Sequence, residues 1–366
     1  MKKLPVGILG ATGMVGQNYI ALLNNHPWFE VSYAAASPRS AGQPYEQAID
    51  GRWHLRETYA PSVGKLTVRD AGDIAAAAAE AKAGNLAFVF SALEMDKDKI
   101  IALEDAYAAA GIPVISNASA NRWTEDVPML IAEVNPRHAD IIPQQKKRRG
   151  WEHGFIAVKP NCSIQSYMTP IWALIQKDYE IKRMIVNTMQ AVSGAGYPGV
   201  PSLDVLDNIV PYIGGEEEKS EREPLKILGT IEGGIIKNAA APLISAHCNR
   251  VPVSNGHTAT VSLEFGAKKP SLEEIKQIWR SFRALPQELA LPMAPEVPII
   301  VREEPNRPQP AKDRDVHKAM AVTVGRLRPC NVFDVRFVGL SHNTVRGAAG
   351  GGILNAELLK AKGYLG

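Results

Sequence analysis

A cysteine becomes a nucleophile when its surroundings favour the thiolate, and Lys159-Pro160-Asn161-Cys162-Ser163 has local features suited to that. The apolar run Phe155-Ile156-Ala157-Val158 reads as a strand and Pro160-Asn161 as a turn. Apolar residues at Ile164, Met168, Ile171, Trp172 and Ile175 then recur at helical spacing as far as Asp178. Cys162 is therefore expected at or near a helix N-terminus, where a thiol pKa of about 8.5 is lowered by roughly one to several units. A buried cysteine acting as a small hydrophobe fits the same stretch taken alone. Other residues must decide, and they come late, in His247-Cys248-Asn249-Arg250-Val251-Pro252-Val253-Ser254-Asn255-Gly256-His257-Thr258. There a guanidinium and an imidazole flank a turn that runs from Pro252 to Gly256. Both serve a small carboxylate substrate attacked by a thiolate. Nucleophile and base commonly lie far apart in sequence, and the fold must join them.

A chain of 366 residues exceeds one ordinary core and suggests about two domains. Three cysteines without paired spacing argue against a disulfide framework and for a reducing cytoplasm. The net charge of +3 is too small to imply nucleic acid, and the basic run Lys146-Lys147-Arg148-Arg149 lacks interleaved aromatics. No run is long enough to span a membrane, and His247, Cys248 and His257 fit no usual metal-ligand spacing.

The elements that must hold a cofactor come first. Pro5-Val6-Gly7-Ile8-Leu9 reads as a buried strand, followed by the glycine turn Gly10-Ala11-Thr12-Gly13-Met14-Val15-Gly16 and a helix to about Asn24. Glycines between a strand and a helix let the backbone approach a pyrophosphate at the positive helix end. The next strand, Val31 to Ala36, ends in Ser37-Pro38-Arg39-Ser40 rather than in the carboxylate that binds a ribose 2′-hydroxyl. A guanidinium with hydroxyls suits a 2′-phosphate, so NADP is preferred over NAD.

Further alternation follows: a helix over Asp73 to Ala83, a strand over Leu86 to Phe90 ending in Ser91-Ala92-Leu93, a helix over Asp96 to Ala110, and a strand over Ile112 to Ile115. This pattern gives a Rossmann-type doubly wound parallel sheet. A last short strand is expected over Val127 to Val134 and a helix over Arg137 to Gly150. Beyond Cys162 the pattern changes to mixed α+β. Strands are expected over Arg183 to Gln190, Thr258 to Phe265 and Val332 to Gly339, with helices over Glu216 to Gly229 and Ser271 to Phe282. Pro286 to Pro310 is expected to wrap a surface, and the tail from His342, rich in small residues, to return to the first domain. The resulting division is residues 1–159, completed by 342–366, for NADP binding, and residues 160–341 for catalysis and dimerisation.

These residues together resemble the aspartate-semialdehyde dehydrogenases of the archaeal and fungal branch. The resemblance rests on Gly10 to Gly16, Ser37 to Gly42, Ser116-Asn117-Ala118, Pro160 to Ser163, Gln190 to Gly196, Glu216 to Lys219, Asn249-Arg250-Val251 with Gly256-His257-Thr258, and His342 to Gly350. It implies NADPH-dependent reductive dephosphorylation of L-4-aspartyl phosphate through a cysteine thioester, within the biosynthesis of lysine, methionine and threonine. It also implies Cys162 as nucleophile, His257 as acid/base and Gln190 orienting the acyl intermediate. Arg250 would take the substrate carboxylate, Glu216 its amino group, and Lys219 and Arg122 the phosphate, with Asn121 and Asn161 beside them; Glu217, Glu218, Glu223 and Lys226 are near alternatives in register to Glu216 and Lys219. The cofactor residues implied are Gly10, Thr12, Gly13, Met14, Val15, Ser37, Arg39, Ser40, Ser91, Ser193, Gly194 and Asn343, the last at the carboxamide. The partners implied are the small-molecule substrate and a second copy, as homodimer or homotetramer. The chain departs from the family at Lys159 and Ile164. A related malonyl-CoA reductase, an N-acetylglutamyl-phosphate reductase or a non-catalytic NADP-binding protein are the other readings.

Overall fold

The computed structural model describes residues 2–366 and contains two six-stranded sheets joined at the cysteine turn. The first holds β1 (Leu4–Leu9), β2 (Phe29–Ala36), β3 (Arg69–Asp70), β4 (Phe88–Ser91), β5 (Val114–Ser116) and β6 (Ile156–Val158), in the order β3-β2-β1-β4-β5-β6. Every pairing in it is parallel. The order reverses at β1/β4, so the crevice beyond the carboxyl ends of those strands is where a ligand can lie. Helices α1 (Met14–Leu23), α2 (Ile74–Lys82), α3 (Lys97–Ala109) and α4 (Ile142–Arg149) make its crossovers. Asp73 and Asp96 cap α2 and α3 by accepting from backbone N–H groups of the first turn.

The second sheet contains β7 (Ile181–Gln190), β10 (Leu243–Arg250), β11 (His257–Phe265), β12 (Ile299–Val301), β13 (Val322–Pro329) and β14 (Val335–Ser341). Its order is β10-β7-β11-β14-β13-β12, and β8 (Thr230–Glu232) with β9 (Ile235–Lys237) forms a separate hairpin. One face packs on α5 (Met168–Ile175) and α7 (Leu272–Ser281), where Ile171, Leu174, Trp279 and Phe337 are buried. Helix α6 (Glu216–Ile227) lies beside β10.

Helix α8 (Gly350–Ala361) returns to the first sheet, and Leu354 and Leu358 share a core with Ile8, Tyr19 and Phe90. Asn355 donates to the Leu130 carbonyl at 2.9 Å, and Glu357 meets His26 at 2.7 Å. The small residues of this tail permit very close approach: a Cβ on Gly352 would stand 2.0 Å from the Tyr19 hydroxyl.

Several sequence expectations are corrected. Val127 to Val134 is not a strand. Met129 makes one isolated bridge to Val158, and the Asn135 side chain then folds the backbone into a turn by accepting from Ile131 N–H and donating to Met129 C=O. The helix after Cys162 is broken: a 3₁₀ turn over Ser163–Ser166 ends at Tyr167 (φ −138), and only then does α5 begin. The stretch from Pro286 to Pro310 does more than wrap, since its Ile299–Val301 pairs in parallel with β13.

Candidate active site

Three elements deliver the reacting groups to one point. The turn after β6 presents Cys162, the first residue of β11 is His257, and the last residue of β10 is Arg250. Cys162 Sγ lies 3.3 Å from His257 Nε2. The Ala191 N–H donates to His257 Nδ1 at 3.0 Å, so the proton of the neutral ring sits on Nε2 and points at the sulfur. The ring is fully buried; burial first, then Arg250, His342 and Lys159, hold its pKa down to about 3, so it stays neutral. Burial pushes the Cys162 thiol up, Glu216 adds to this, and Lys159, Arg122 and Arg250 oppose it. Arg250, buried as well, donates from Nη1 to the Ala191 carbonyl at 2.8 Å. One residue of the loop after β7 thus fixes both the imidazole and the guanidinium.

Behind the cysteine is a polar cluster centred on Glu216, the first residue of α6. Its carboxylate accepts from Lys219 Nζ at 2.7 Å, from Asn161 Nδ2 at 2.9 Å and from Gln190 Nε2 at 3.2 Å. Burial pushes this carboxyl up, but Lys219, Gln190 and Asn161 outweigh burial, and the pKa is lowered overall. Asn161 Oδ1 accepts from the Ser163 N–H at 2.9 Å, which shapes the turn that carries the nucleophile.

A cleft of about 940 Å³ runs from Cys162 to the glycine turn. Gly10, Thr12, Gly13, Met14, Val15 and Ser37 line one end, and Arg122, Asn161, Cys162, Ser193, Gly194 and Asn343 the other. Gly10 has φ +78, and a Cβ there would stand 2.4 Å from the Ala92 carbonyl. At Gly13 a Cβ would meet only the Gly10 carbonyl at 3.5 Å. Gly13 also caps α1 without a side-chain bond, leaving the first N–H groups of the helix for a ligand. The glycine turn therefore fits a pyrophosphate. Asn343 is held at both ends of its amide, donating to Ser193 Oγ at 2.8 Å and accepting from the Gly256 N–H at 2.8 Å.

Other expected site residues are not among those that line the cleft. Ser91 is fully buried in the sheet and Ser40 is buried under its turn; neither lines the cleft. Arg39 is exposed beside Ser37, outside the cleft lining. Asn121 faces away, because its amide donates to Glu104 at 2.8 Å and its oxygen accepts from the Thr124 hydroxyl. It supports the loop that carries Arg122.

Residues without a role assigned from sequence also belong to the site. Gly347 presses on Cys162, a Cβ there standing 2.9 Å from Cys162 Cβ. Lys159 is buried, lines the cleft and donates to the Pro160 carbonyl at 2.5 Å. Glu223 is fully buried between Arg122 and the Asn161 N–H. The signal for Glu223 was present: Glu216, Lys219, Glu223 and Lys226 recur on one face of a helix, and a polar stripe of that kind is unusual on a buried face.

Two family models match most of the chain between them. These are the semialdehyde dehydrogenase NAD binding domain over residues 5–142 and the semialdehyde dehydrogenase dimerisation domain over residues 171–346. The parallel sheet with its glycine turn, joined to a mixed sheet whose His257 meets Cys162 of the connecting turn, accords with that class. The aspartate-semialdehyde dehydrogenase of Methanothermobacter thermautotrophicus is 48% identical over 97% of this chain and 98% of its own length. That of Aspergillus fumigatus is 43% identical over 99% of each chain. A crystal structure of the Candida albicans aspartate-semialdehyde dehydrogenase with NADP matches with a TM-score of 0.89 at 39% identity, covering 100% of both chains. The chain belongs to the aspartate-semialdehyde dehydrogenase family.

Proposed function

We propose that this protein catalyses the NADPH-dependent reductive dephosphorylation of L-4-aspartyl phosphate to L-aspartate 4-semialdehyde and phosphate. The observation that carries the reading is the 3.3 Å approach of Cys162 Sγ to His257 Nε2 at the floor of a cleft that opens onto the glycine turn. Gly10, Thr12, Gly13, Met14 and Val15 would hold the cofactor pyrophosphate, Ser37 and Arg39 the 2′-phosphate, and Ser193, Gly194 and Asn343 the nicotinamide end. When bound, NADPH supplies the hydride that reduces the acyl carbon.

The chain's residues do the rest. Arg250 takes the substrate α-carboxylate and Glu216 the α-amino group, while Arg122 and Lys219 take the phosphate. The Cys162 thiol gives up its proton as sulfur forms the S–C bond and the C–O bond to phosphate breaks; that proton ends on the leaving phosphate, and the one proton consumed overall returns to the thiolate when it is expelled. Donation from His257 Nε2 first steadies the thiolate and then the acyl oxygen as it gains negative charge. That oxygen reforms the carbonyl and expels the thiolate, which regenerates Cys162. Gln190, held by Glu216, keeps the acyl group in place between the two stages.

We assign residues 1–159 with 342–366 to the cofactor and residues 160–341 to catalysis and self-association. The protein is a cytoplasmic homodimer or homotetramer in this reading. Support comes from the free Cys162, Cys248 and Cys330, which suit a reducing compartment, and from exposed Ile185, Leu206, Ile209, Tyr212 and Leu243 around β7 and β10, which suit a partner's surface.

The test is an assay in reverse, with aspartate semialdehyde, phosphate and NADP⁺, alongside malonyl-CoA with NADPH. Turnover of the first, lost in Cys162→Ser while NADP affinity stays near normal, supports the proposal. Cys162→Ser activity within tenfold of the wild type, or turnover of malonyl-CoA alone, refutes it.

A further inference from the structure

Glu223 sits where three parts of the molecule meet. One carboxylate oxygen accepts from Arg122 Nη1 at 2.9 Å, and the other accepts from the Asn161 backbone N–H at 2.6 Å. The Glu223 side chain is fully buried, and that of Arg122 is only 7% exposed. Asn161 is the residue before the nucleophile. Arg122 lies on the 3₁₀ turn after β5, and Glu223 two helical turns along α6 from Glu216. Lys226, one turn further on, donates to the Arg122 and Thr124 carbonyls at 2.8 and 2.7 Å, pinning the same turn by its backbone. Arg122, which lines the cleft, also donates to the Asn117 carbonyl at 3.2 Å, so its guanidinium is anchored from two sides.

A buried carboxylate beside a site for a dianion opposes anion binding unless it does something else there. Here its two oxygens face two donors on segments that chain connectivity does not hold together. Through one oxygen it fixes the direction of the arginine. Through the other it fixes the peptide that carries Cys162. We propose that Glu223 is a positioning residue that sets the distance between the phosphate subsite at Arg122 and the attacking sulfur of Cys162. The inference rests on the reading of Arg122 as a phosphate ligand.

Glutamine at this position keeps shape and volume but offers one acceptor and one donor to two donors, so one anchor is lost. Displacement of a reacting group by about 1 Å costs on the order of a hundredfold in rate. The full-length enzyme is assayed in the reverse direction, varying phosphate and aspartate semialdehyde separately. Glu223→Gln is expected to raise the phosphate KM about tenfold and to lower kcat by tenfold or more, with the semialdehyde KM within about threefold of wild type. A structural defect alone would lower the active fraction or move both KM values together, and that result overturns the proposal.

Arg122→Ala separates the two levels of the argument. If it raises the phosphate KM while Glu223→Gln does not, the positioning role falls and the phosphate ligand stands. If Arg122→Ala leaves the phosphate KM unchanged, both fall. When both residues are changed, the phosphate KM should lie within about threefold of that of Arg122→Ala alone, because Glu223 acts through the arginine; a multiplicative loss refutes that route. Glu223→Asp, which keeps the charge but shortens the reach, gives the same KM split and replaces glutamine should that variant not accumulate as folded protein.

Discussion

Gly194 lines the same end of the cleft as Cys162, and its φ is not in the left-handed region, so the backbone does not require glycine there. Space does. A Cβ built on it stands 2.8 Å from Arg250 Nη1 and 3.1 Å from both Cε1 and Nε2 of His257. Ordinary contacts begin near 3.4 Å, so Gly194→Ala forces the arginine head to shift by about 0.6 Å and the imidazole by a few tenths of an ångström. Neither shift is free, because Arg250 Nη1 is held by the Ala191 carbonyl and the ring by the Ala191 N–H. Loss of one charged hydrogen bond costs about 1.5–3 kcal/mol, and each 1.4 kcal/mol is roughly tenfold, so kcat/KM should fall about tenfold to a hundredfold. The assay is the steady-state reverse reaction, with the thermal unfolding midpoint recorded alongside. Gly196→Ala is the contrast. Its φ is +73 and nothing lies within 4 Å of an added Cβ, so it should lower stability while leaving kcat/KM within about threefold. A Gly194→Ala enzyme within threefold of wild type would show that the clamp and the imidazole are not held where this geometry requires, and would refute the reasoning.

Arg250→Lys keeps charge but loses the planar fork, and should lower kcat as well as raise KM, by on the order of a hundredfold. Alkylation of Cys162 by a neutral reagent should stay near the wild-type rate, and a comparable fall there would reassign Arg250 to the thiol. Arg39→Ala should weaken NADPH roughly tenfold to a hundredfold more than NADH, measured as the ratio of the two affinities; equal losses refute the 2′-phosphate role. Lys159→Met tests the buried ammonium, whose pKa is lowered from 10.5 to about 7 first by burial and next by Arg122. The unfolded chain carries the extra proton between those values, so wild-type stability gains from this group as pH rises through that window. The variant should be more stable than wild type by most at and below pH about 7, with the gap narrowing towards pH 10. Denaturant titration of both proteins at several pH values checks this, and a gap that is flat or widens with pH contradicts it.

Five strands of the first sheet were legible because they are mostly apolar runs with helices of steady period between them, and because the glycine turn follows the first; β3, only Arg69–Asp70, carries no apolar signal. Cys162, His257 and Arg250, which the fold brings to one place, were picked out by residue type and context. Strand β10 escaped because it lies at an edge of its sheet and half of it faces outward, so Ser245, His247 and Asn249 interrupt any apolar run. The break at Tyr167 escaped because it answers to a tertiary contact: β14 passes so close that a Cβ on Gly339 would stand 2.1 Å from the Ser166 carbonyl. Asn121 was read as a ligand since it stands in a polar loop at the sheet edge, and only the buried Glu104 shows that its amide is already taken. Periodicity along one helix cannot say which carboxylate meets which donor. For that reason Glu216 and Glu223 were separable only once Asn161 and Arg122 had positions.

The return of α8 to the first sheet bears on how the protein is made. The core around Ile8, Tyr19 and Phe90 is covered by Ile353, Leu354 and Leu358, which leave the ribosome tens of seconds after β1 at about 5–20 residues per second. Until then the nascent lobe shows water an apolar face and an unpaired Glu133, whose partner Arg346 also arrives late. A translating chain thus leaves this face without its native cover through most of its synthesis. A chain that stops short of this helix keeps that face open.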